Sequence, residues 1–412
     1  MPGHLLFVCN EGFDTPGPSN HLIATLIEDL LEYGFFVTLI QSRRECAEDE
    51  IPDNLKGKEG LEVISVDRRI VGKHAFLRRY IEEMTYHFKA RRVWKNRKDF
   101  DAVFVQSCPT VVFSIVLLKL FAKKPILYSV QDMWPGSAVS TGVMRSRPLA
   151  AFFRAVQKVA YRRSDAITVI SEDMKSRVIE QGVPEEKVFP IVNWFDDRSV
   201  HEVGWDENRF VRKYNLRRDR FYVQYAGTMG FVFDYEMVLR VAERLQRNTD
   251  IVFQMIGRGS QKEAFVAEAD KRGLTNIVFY PLEPQDMVSD VYSACSISLI
   301  PLKRGVIGNS VPSKAGLLMA CRRTIVNSVD EDSDYFRIFE ENDIGLSVSN
   351  RDPKAVAEAI FALYKDPEKR ARMEENGYSF GRKYYARSEN TEKFIRVFEG
   401  LTGGAGAEGE ED

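Results

Sequence analysis

The chain is predicted to fold as an α/β protein built on two doubly wound parallel sheets. Short apolar runs alternate with longer amphipathic stretches along most of its length, a pattern that joins parallel strands through crossover helices. The series restarts near residue 222, after a stretch around 193–207 that carries neither pattern. At 412 residues the chain also exceeds what one hydrophobic core usually supports. Two Rossmann-like lobes follow, one over 1–197 and one over 198–387.

In the first lobe the spacing predicts strands at 5–9, 36–40, 61–66, 102–105, 126–130, 166–170 and 188–191. His4-Leu5-Leu6-Phe7-Val8-Cys9 is a continuous apolar run of strand length, as a strand covered on both faces requires. Helices are expected at 21–33, 74–94, 110–121, 149–163 and 172–181, the first capped by Ser19 or Asn20. In the second lobe strands are expected at 222–225, 252–256, 277–280, 297–300, 324–327 and 345–348. After 297–300 a polar loop leads to Pro312, which is expected to open a helix because proline loses no hydrogen bond in a first turn. Ser313 and Lys314 then stand at a helix N-terminus, where free N–H groups and the macrodipole favour an anion. The Gly- and Glu-rich tail over 403–412 has almost nothing apolar to bury and is expected to be disordered.

Composition narrows the class. A formal net charge of −2 argues against a dedicated nucleic-acid binder. The five cysteines are scattered without a CxxC or Cys/His cluster, which suits free thiols in a reducing cytoplasm. No metal site is read: Asp196-Asp197 and the acids of 330–334 look like solvated loops. No apolar run approaches the ~20 residues of a spanning helix, and no leader precedes the first strand. The expectation is a cytoplasmic protein.

Several residues carry chemistry. Gly227-Thr228-Met229-Gly230 follows a strand, and glycine there permits a tight turn and close approach of backbone to a phosphate; a plain βα turn is the other reading. Arg258, between Gly257 and Gly259 at a strand's carboxyl end, and Lys314 are candidate cations for a diphosphate, with Lys303 and Arg304 further out. Gln131-Asp132-Met133-Trp134-Pro135 also follows a strand; Asp132 could accept a hydroxyl proton or cap a turn, and Trp134 could face a sugar or fill core.

From about Arg220 the ordered pieces YAGTMG (225–230), FQMIGRG (253–259), NIVFYP (276–281), VYSAC (291–295), VPSK (311–314), DIGL (343–346), AVAEAI (355–360) and MEENG (373–377) together resemble the nucleotide-binding half of a GT-B glycosyltransferase of the family 4 type. The VPSK segment and Asp132-Met133-Trp134-Pro135 are most similar to enzymes building surface polysaccharides. The resemblance implies a GT-B fold, a last helix over 388–402 returning to the first lobe, and retaining, metal-independent transfer. The co-substrate would be a nucleotide-diphosphate sugar, with no bound cofactor, and the acceptor a glycan or lipid-linked sugar. It implies donor contacts at Gly227, Thr228, Gly230, Gly257, Arg258, Ser313 and Lys314, and acceptor contacts at Gly17, Ser19, Asn20 and Trp134. Many relatives carry a catalytic histidine in the first lobe; Ser107-Cys108-Pro109 occupies one equivalent place, leaving Asp132 as the catalytic candidate.

Three departures stand out. The cation that often follows the glycine loop is replaced by Phe231-Val232-Phe233-Asp234, and the family's paired glutamates fall on Asn309 and Leu317. Asn309 can still hold a sugar hydroxyl; Leu317 cannot hold a ribose. A catalytically silent homologue serving as a sugar-binding or partner subunit, or a nucleotide-sugar 2-epimerase, are the rival readings. Finally, nine lysines and arginines between Lys73 and Lys98 interleave with Phe76, Tyr80, Tyr86, Phe88 and Trp94, and a second basic cluster surrounds Phe152-Phe153. Such helices can lie on an anionic bilayer, as a peripheral enzyme on the inner membrane face would need; a helix with aromatics inward and cations outward is the other reading.

Overall fold

The computed structural model describes residues 3–14, 17, 19–69, 76–140, 142, 144–307, 309 and 311–403, with backbone only at 76, 77 and 79. The expected disorder of the tail beyond 403 lies outside the described residues. The chain divides into two units, one comprising residues 1–139, 144–192 and 388–412 and the other residues 140–143 and 193–387.

The first unit holds an all-parallel sheet of strands β1 (His4–Cys9), β2 (Phe36–Arg44), β3 (Leu61–Arg68), β4 (Ala102–Gln106), β5 (Ile126–Val130), β6 (Ala166–Val169) and β7 (Val188–Pro190). Their order is β3-β2-β1-β4-β5-β6-β7. β4 and β5 are buried along their whole length, Gln106 and Ser129 included, which is why the rest of each strand is apolar. Leu5 pairs with Val37 on one side and Ala102 on the other, so the strand order reverses at β1/β4. That is the point at which an open α/β sheet forms a crevice beyond its carboxyl ends. The helix Arg387–Gly403 covers one face: Phe398 lies 6.1 Å from Phe7 and 6.3 Å from Phe35, and Phe394 lies 6.4 Å from Phe104.

The second unit repeats the plan with six parallel strands: β8 (Phe221–Thr228), β9 (Ile251–Arg258), β10 (Ile277–Tyr280), β11 (Ile297–Pro301), β12 (Thr324–Val329) and β13 (Gly345–Ser349). Their order is β10-β9-β8-β11-β12-β13, with the reversal at β8/β11. A core of Val223, Tyr225, Phe233, Leu239, Phe253, Phe265 and Ile360 fills the space between this sheet and its helices.

Two local expectations are corrected. Pro312 does not lie in a first helical turn: the helix is Lys314–Ala320, Ser313 is its N-cap, and Pro312 precedes the cap. Ser19 does occupy the N-cap position of the helix Asn20–Tyr33, but its hydroxyl makes no capping hydrogen bond. It is engaged by side chains at the sheet's edge instead.

Candidate functional site

In the second unit the carboxyl end of β8 meets the helix that starts at Lys314. Tyr225 is buried, and its hydroxyl donates to the Thr228 carbonyl at 2.8 Å. Lys314 Nζ lies 3.6 Å from the centroid of the Tyr225 ring. A face-on ring attracts a cation through its quadrupole. No carboxylate pairs with Lys314 among the described residues. Desolvation alone pulls its ammonium down to about 7, far below an ordinary lysine.

Gly227 makes room for this arrangement. It adopts φ 145°, and a Cβ there would stand 3.0 Å from Lys314 Nζ. Gly257 has a packing role: at φ 138° its missing Cβ is replaced by the Gly227 carbonyl oxygen, which would lie 2.0 Å away. The two turns are laced together, since the Met229 N–H donates to the Arg258 carbonyl at 2.8 Å. Arg258 itself is exposed at the end of β9 and has no ion pair among the described residues.

Lys303, which the sequence places only at the margin, is drawn in. Its Nζ donates to Gln261 Oε1 at 3.2 Å, and Gln261 Nε2 donates to the Gly230 carbonyl. A lysine from the loop after β11 is thus tied to the glycine loop through Gln261. The sequence marks it only as an outer cation; its link to the glycine loop follows from the adjacency of β8 and β11. Phe233 is core, 4.3 Å from Tyr225, whereas Phe231 is exposed. Asn309 is held in its own loop, its Nδ2 donating to the Gly305 carbonyl at 3.2 Å. Asp330 is no solvated acid: it accepts from the Gly305 N–H at 2.8 Å and from Asn350 Nδ2 at 3.3 Å, fastening that loop. Asp196 likewise pairs with buried Arg387 at 3.5 Å.

In the first unit the predicted residues gather around the ends of β1, β4 and β5. Ser19 Oγ donates to Glu11 Oε2 and accepts from Gln106 Nε2, each at 3.1 Å. The peptide Asn20 N–H donates to the Gly17 carbonyl at 3.3 Å. Ser107 Oγ accepts from the Gln131 N–H at 3.1 Å, joining the β4 and β5 loops. Asp132 is exposed, and its carbonyl accepts from the Trp134 N–H at 3.1 Å. Trp134 packs edge-on to Phe153 at 5.7 Å in a small cluster with Ala138, Met144, Ala150 and Tyr80.

A histidine does reach the Ser107-Cys108-Pro109 loop, though not from within it. His87, on the helix Phe76–Trp94, is buried with its Nδ1 2.6 Å from Ser114 Oγ and its Nε2 2.8 Å from Thr110 Oγ1. Cys108 Sγ lies 3.7 Å from the same Nε2. Burial pushes the imidazole down to about 3 and the thiol up to about 12, so both are neutral near pH 7. With both ring nitrogens satisfied by hydroxyls, His87 is a packing residue. The buried pair Glu83 and His87, four apart on one helix face, is the signal that could have located it.

The basic helices divide between the two sequence readings. Tyr86 and Trp94 are buried, but Ile81 and Phe88 on the helix Phe76–Trp94 are exposed. So are Leu120 and Phe121 on the helix Val111–Phe121, and Leu149, Phe152 and Val159 on the helix Arg147–Arg163. These three helices pack side by side. No helix is long and apolar enough to cross a membrane, and no group of His, Cys, Asp or Glu is arranged to hold a metal, among the described residues.

Comparison with known proteins agrees with this architecture. Residues 22–194 match the glycosyl transferase 4-like domain model, and residues 206–380 match that of glycosyl transferases group 1. The chain is 27% identical over 233 residues to a Pseudomonas aeruginosa protein named "Probable glycosyltransferase WbjE", covering 56% of this chain and 58% of that one. It is 26% identical over 235 residues to an Escherichia coli (strain K12) protein named "Putative colanic acid biosynthesis glycosyl transferase WcaI", covering 56% of this chain and 57% of that one. The matches thus span little more than half the length of these curated relatives. Among solved structures, Anabaena Alr3699/HepE in complex with UDP superposes with a TM-score of 0.73 at 13% identity, covering 96% of this chain and all of that one.

Proposed function

This chain belongs to the GT-B glycosyltransferases of the family 4 type, and we propose that it moves a sugar from a nucleotide-diphosphate sugar to a glycan or lipid-linked acceptor in cell-surface polysaccharide biosynthesis. The observation that carries this reading is the half-buried Lys314, held against Gly227 and the Tyr225 ring without a carboxylate partner. A desolvated cation beside a glycine turn is poised for an anion, and a diphosphate is the anion a nucleotide sugar brings. The relative HepE, solved with UDP and with UDP-glucose, supports the same choice of ligand class.

In the proposed reaction the acceptor oxygen bonds to the anomeric carbon on the face the diphosphate leaves, so configuration is retained. The bond between that carbon and the diphosphate oxygen breaks, and its electron pair departs with the diphosphate. Lys314, with Arg258 and Lys303 nearby, neutralises the departing charge, while Asn309 holds a sugar hydroxyl. Asp132 takes the acceptor hydroxyl's proton. A sugar-binding subunit without turnover is the second reading, favoured by Asn309 and Leu317 in place of the family's glutamates.

Thermal-shift measurement across UDP-, GDP- and dTDP-sugars, with wild type, Arg258→Ala and Lys314→Met, tests the reading. One donor should stabilise the wild type and neither variant fully. Donor binding without transfer or hydrolysis would support the silent subunit; no response to any nucleotide would sink both readings.

A further inference from the structure

Resting on the transferase reading, we propose that Glu11 and Gln106 form the acceptor-hydroxyl subsite of the first unit, with Ser19 as the bridge between them. The starting observation is an unsatisfied buried atom. Gln106 is 6% exposed at the carboxyl end of β4, and its Oε1 has no hydrogen-bond partner among the described residues. A buried acceptor left unpaired is costly, and such groups in native proteins point to a missing partner.

The network fixes which atom of the amide is unpaired. The Ser19 hydroxyl has one proton, and the Glu11 carboxylate 3.1 Å away can only accept it. Ser19 Oγ must therefore accept from Gln106, which places Nε2 toward the serine and leaves Oε1 as the unpaired acceptor. The ligand atom that completes the site must be a hydrogen-bond donor.

Glu11 supplies a second acceptor two hydrogen bonds away. It is exposed and has no cationic partner among the described residues. Gly17 keeps the space beside it narrow but open: a Cβ there would stand 3.3 Å from Glu11 Oε2 and 2.9 Å from Asn20 Oδ1. All three residues sit where the strand order reverses between β1 and β4, the crevice position of an open α/β sheet. Two acceptors joined through one serine suit a pair of hydroxyls, such as neighbouring hydroxyls of a pyranose. An anionic ligand would be repelled by Glu11. Glu11 and Gln106 are therefore hydroxyl-positioning residues, and Ser19 acts through them.

The test is saturation-transfer NMR with methyl α- and β-glycopyranosides of glucose, galactose and mannose, on wild type, Glu11→Gln and Gln106→Leu. UDP affinity and melting temperature of each protein are measured alongside. At least one glycoside should saturate the wild type and bind at least tenfold more weakly to both variants, while UDP affinity stays unchanged. Unaltered glycoside binding in the two variants overturns the proposal, as does the absence of saturation by every glycoside. Loss of UDP binding by the wild type would instead count against the donor reading. Gln106→Glu separates a fold defect from a lost subsite: it keeps the side chain's size but sets a carboxylate against Ser19. Native melting with impaired glycoside binding in this variant supports the proposal, and native melting with full binding counts against it.

Discussion

Lys314 and Tyr225 form a cation–ring pair at 3.6 Å in which the ammonium has exchanged water for an aromatic face. The pair joins the start of a helix to the end of β8, two elements of the second unit that the sequence separates by almost ninety residues. Burial without a counter-ion pulls the ammonium down to about 7, and the ring face offsets part of the lost hydration.

Replacing Lys314 by Met should therefore separate stability from binding. The variant removes a cation that is costly to bury and should melt at higher temperature at pH 7. It also removes a charge-assisted hydrogen bond to a diphosphate, of about 1.5–3 kcal/mol, or roughly ten- to a hundredfold in affinity. Calorimetric melting and a UDP titration on the same samples check both halves.

The same lysine makes donor binding depend on pH. Only the protonated form attracts a diphosphate, so UDP affinity should fall as pH rises through about 7, with proton uptake on binding below saturation. Stability runs the other way. The unfolded chain holds this proton up to the ordinary lysine value of 10.5, so the Lys314 contribution rises with pH between about 7 and 10.5 and is lost below 7. Titrations in two buffers of different ionisation enthalpy measure the proton taken up; none taken up would contradict the assignment.

His87 gives a contrasting prediction. Its folded value of about 3 lies below the unfolded 6.5, so its contribution to stability is present above 6.5 and is lost as pH falls toward 3. His87→Leu leaves the Ser114 and Thr110 hydroxyls without their ring partners and should cost about 1–3 kcal/mol in urea unfolding. Transfer at saturating donor should be unaffected once the variant is folded; a pH-rate profile that lost a limb would make His87 a participant.

The two glycines differ in kind. Gly227→Ala aims a methyl at the Lys314 ammonium, 3.0 Å away, and should weaken UDP binding more than it lowers the melting temperature. Gly257→Ala drives a methyl into the Gly227 carbonyl at 2.0 Å, so backbone must move and the loss should appear first in stability.

Phe152, Leu149, Phe88, Ile81 and Phe121 are exposed on neighbouring helices that also carry many arginines, and Arg91 covers the Phe121 ring at 4.1 Å. Co-sedimentation with vesicles containing phosphatidylglycerol should exceed that with phosphatidylcholine alone and weaken with salt. Phe152→Ser combined with Arg154→Ser should reduce it several-fold; equal binding to both vesicle types would remove the membrane from the account.

Strand positions were legible because parallel strands covered on both faces are mostly apolar, and in β4 and β5 only Gln106 and Ser129 break the run. Gly227 and Lys314 were legible from local rules of turns and helix starts. What stayed hidden depended on adjacency between distant strands. Lys303 reaches the glycine loop only through Gln261, and His87 reaches the β4 loop from a neighbouring helix. Glu11 looked like one acid among many until Ser19 and Gln106 were placed beside it. Pro312 misled because its preference for a first turn competed with Ser313, which took the cap position.

The most direct test of the central claim is calorimetric titration of UDP into wild type and Lys314→Met at pH 6.5 and 8.5. The account predicts binding to the wild type that is tighter at pH 6.5, and binding to the variant that is at least tenfold weaker and insensitive to pH. Equal affinity of the two proteins at both pH values would contradict it.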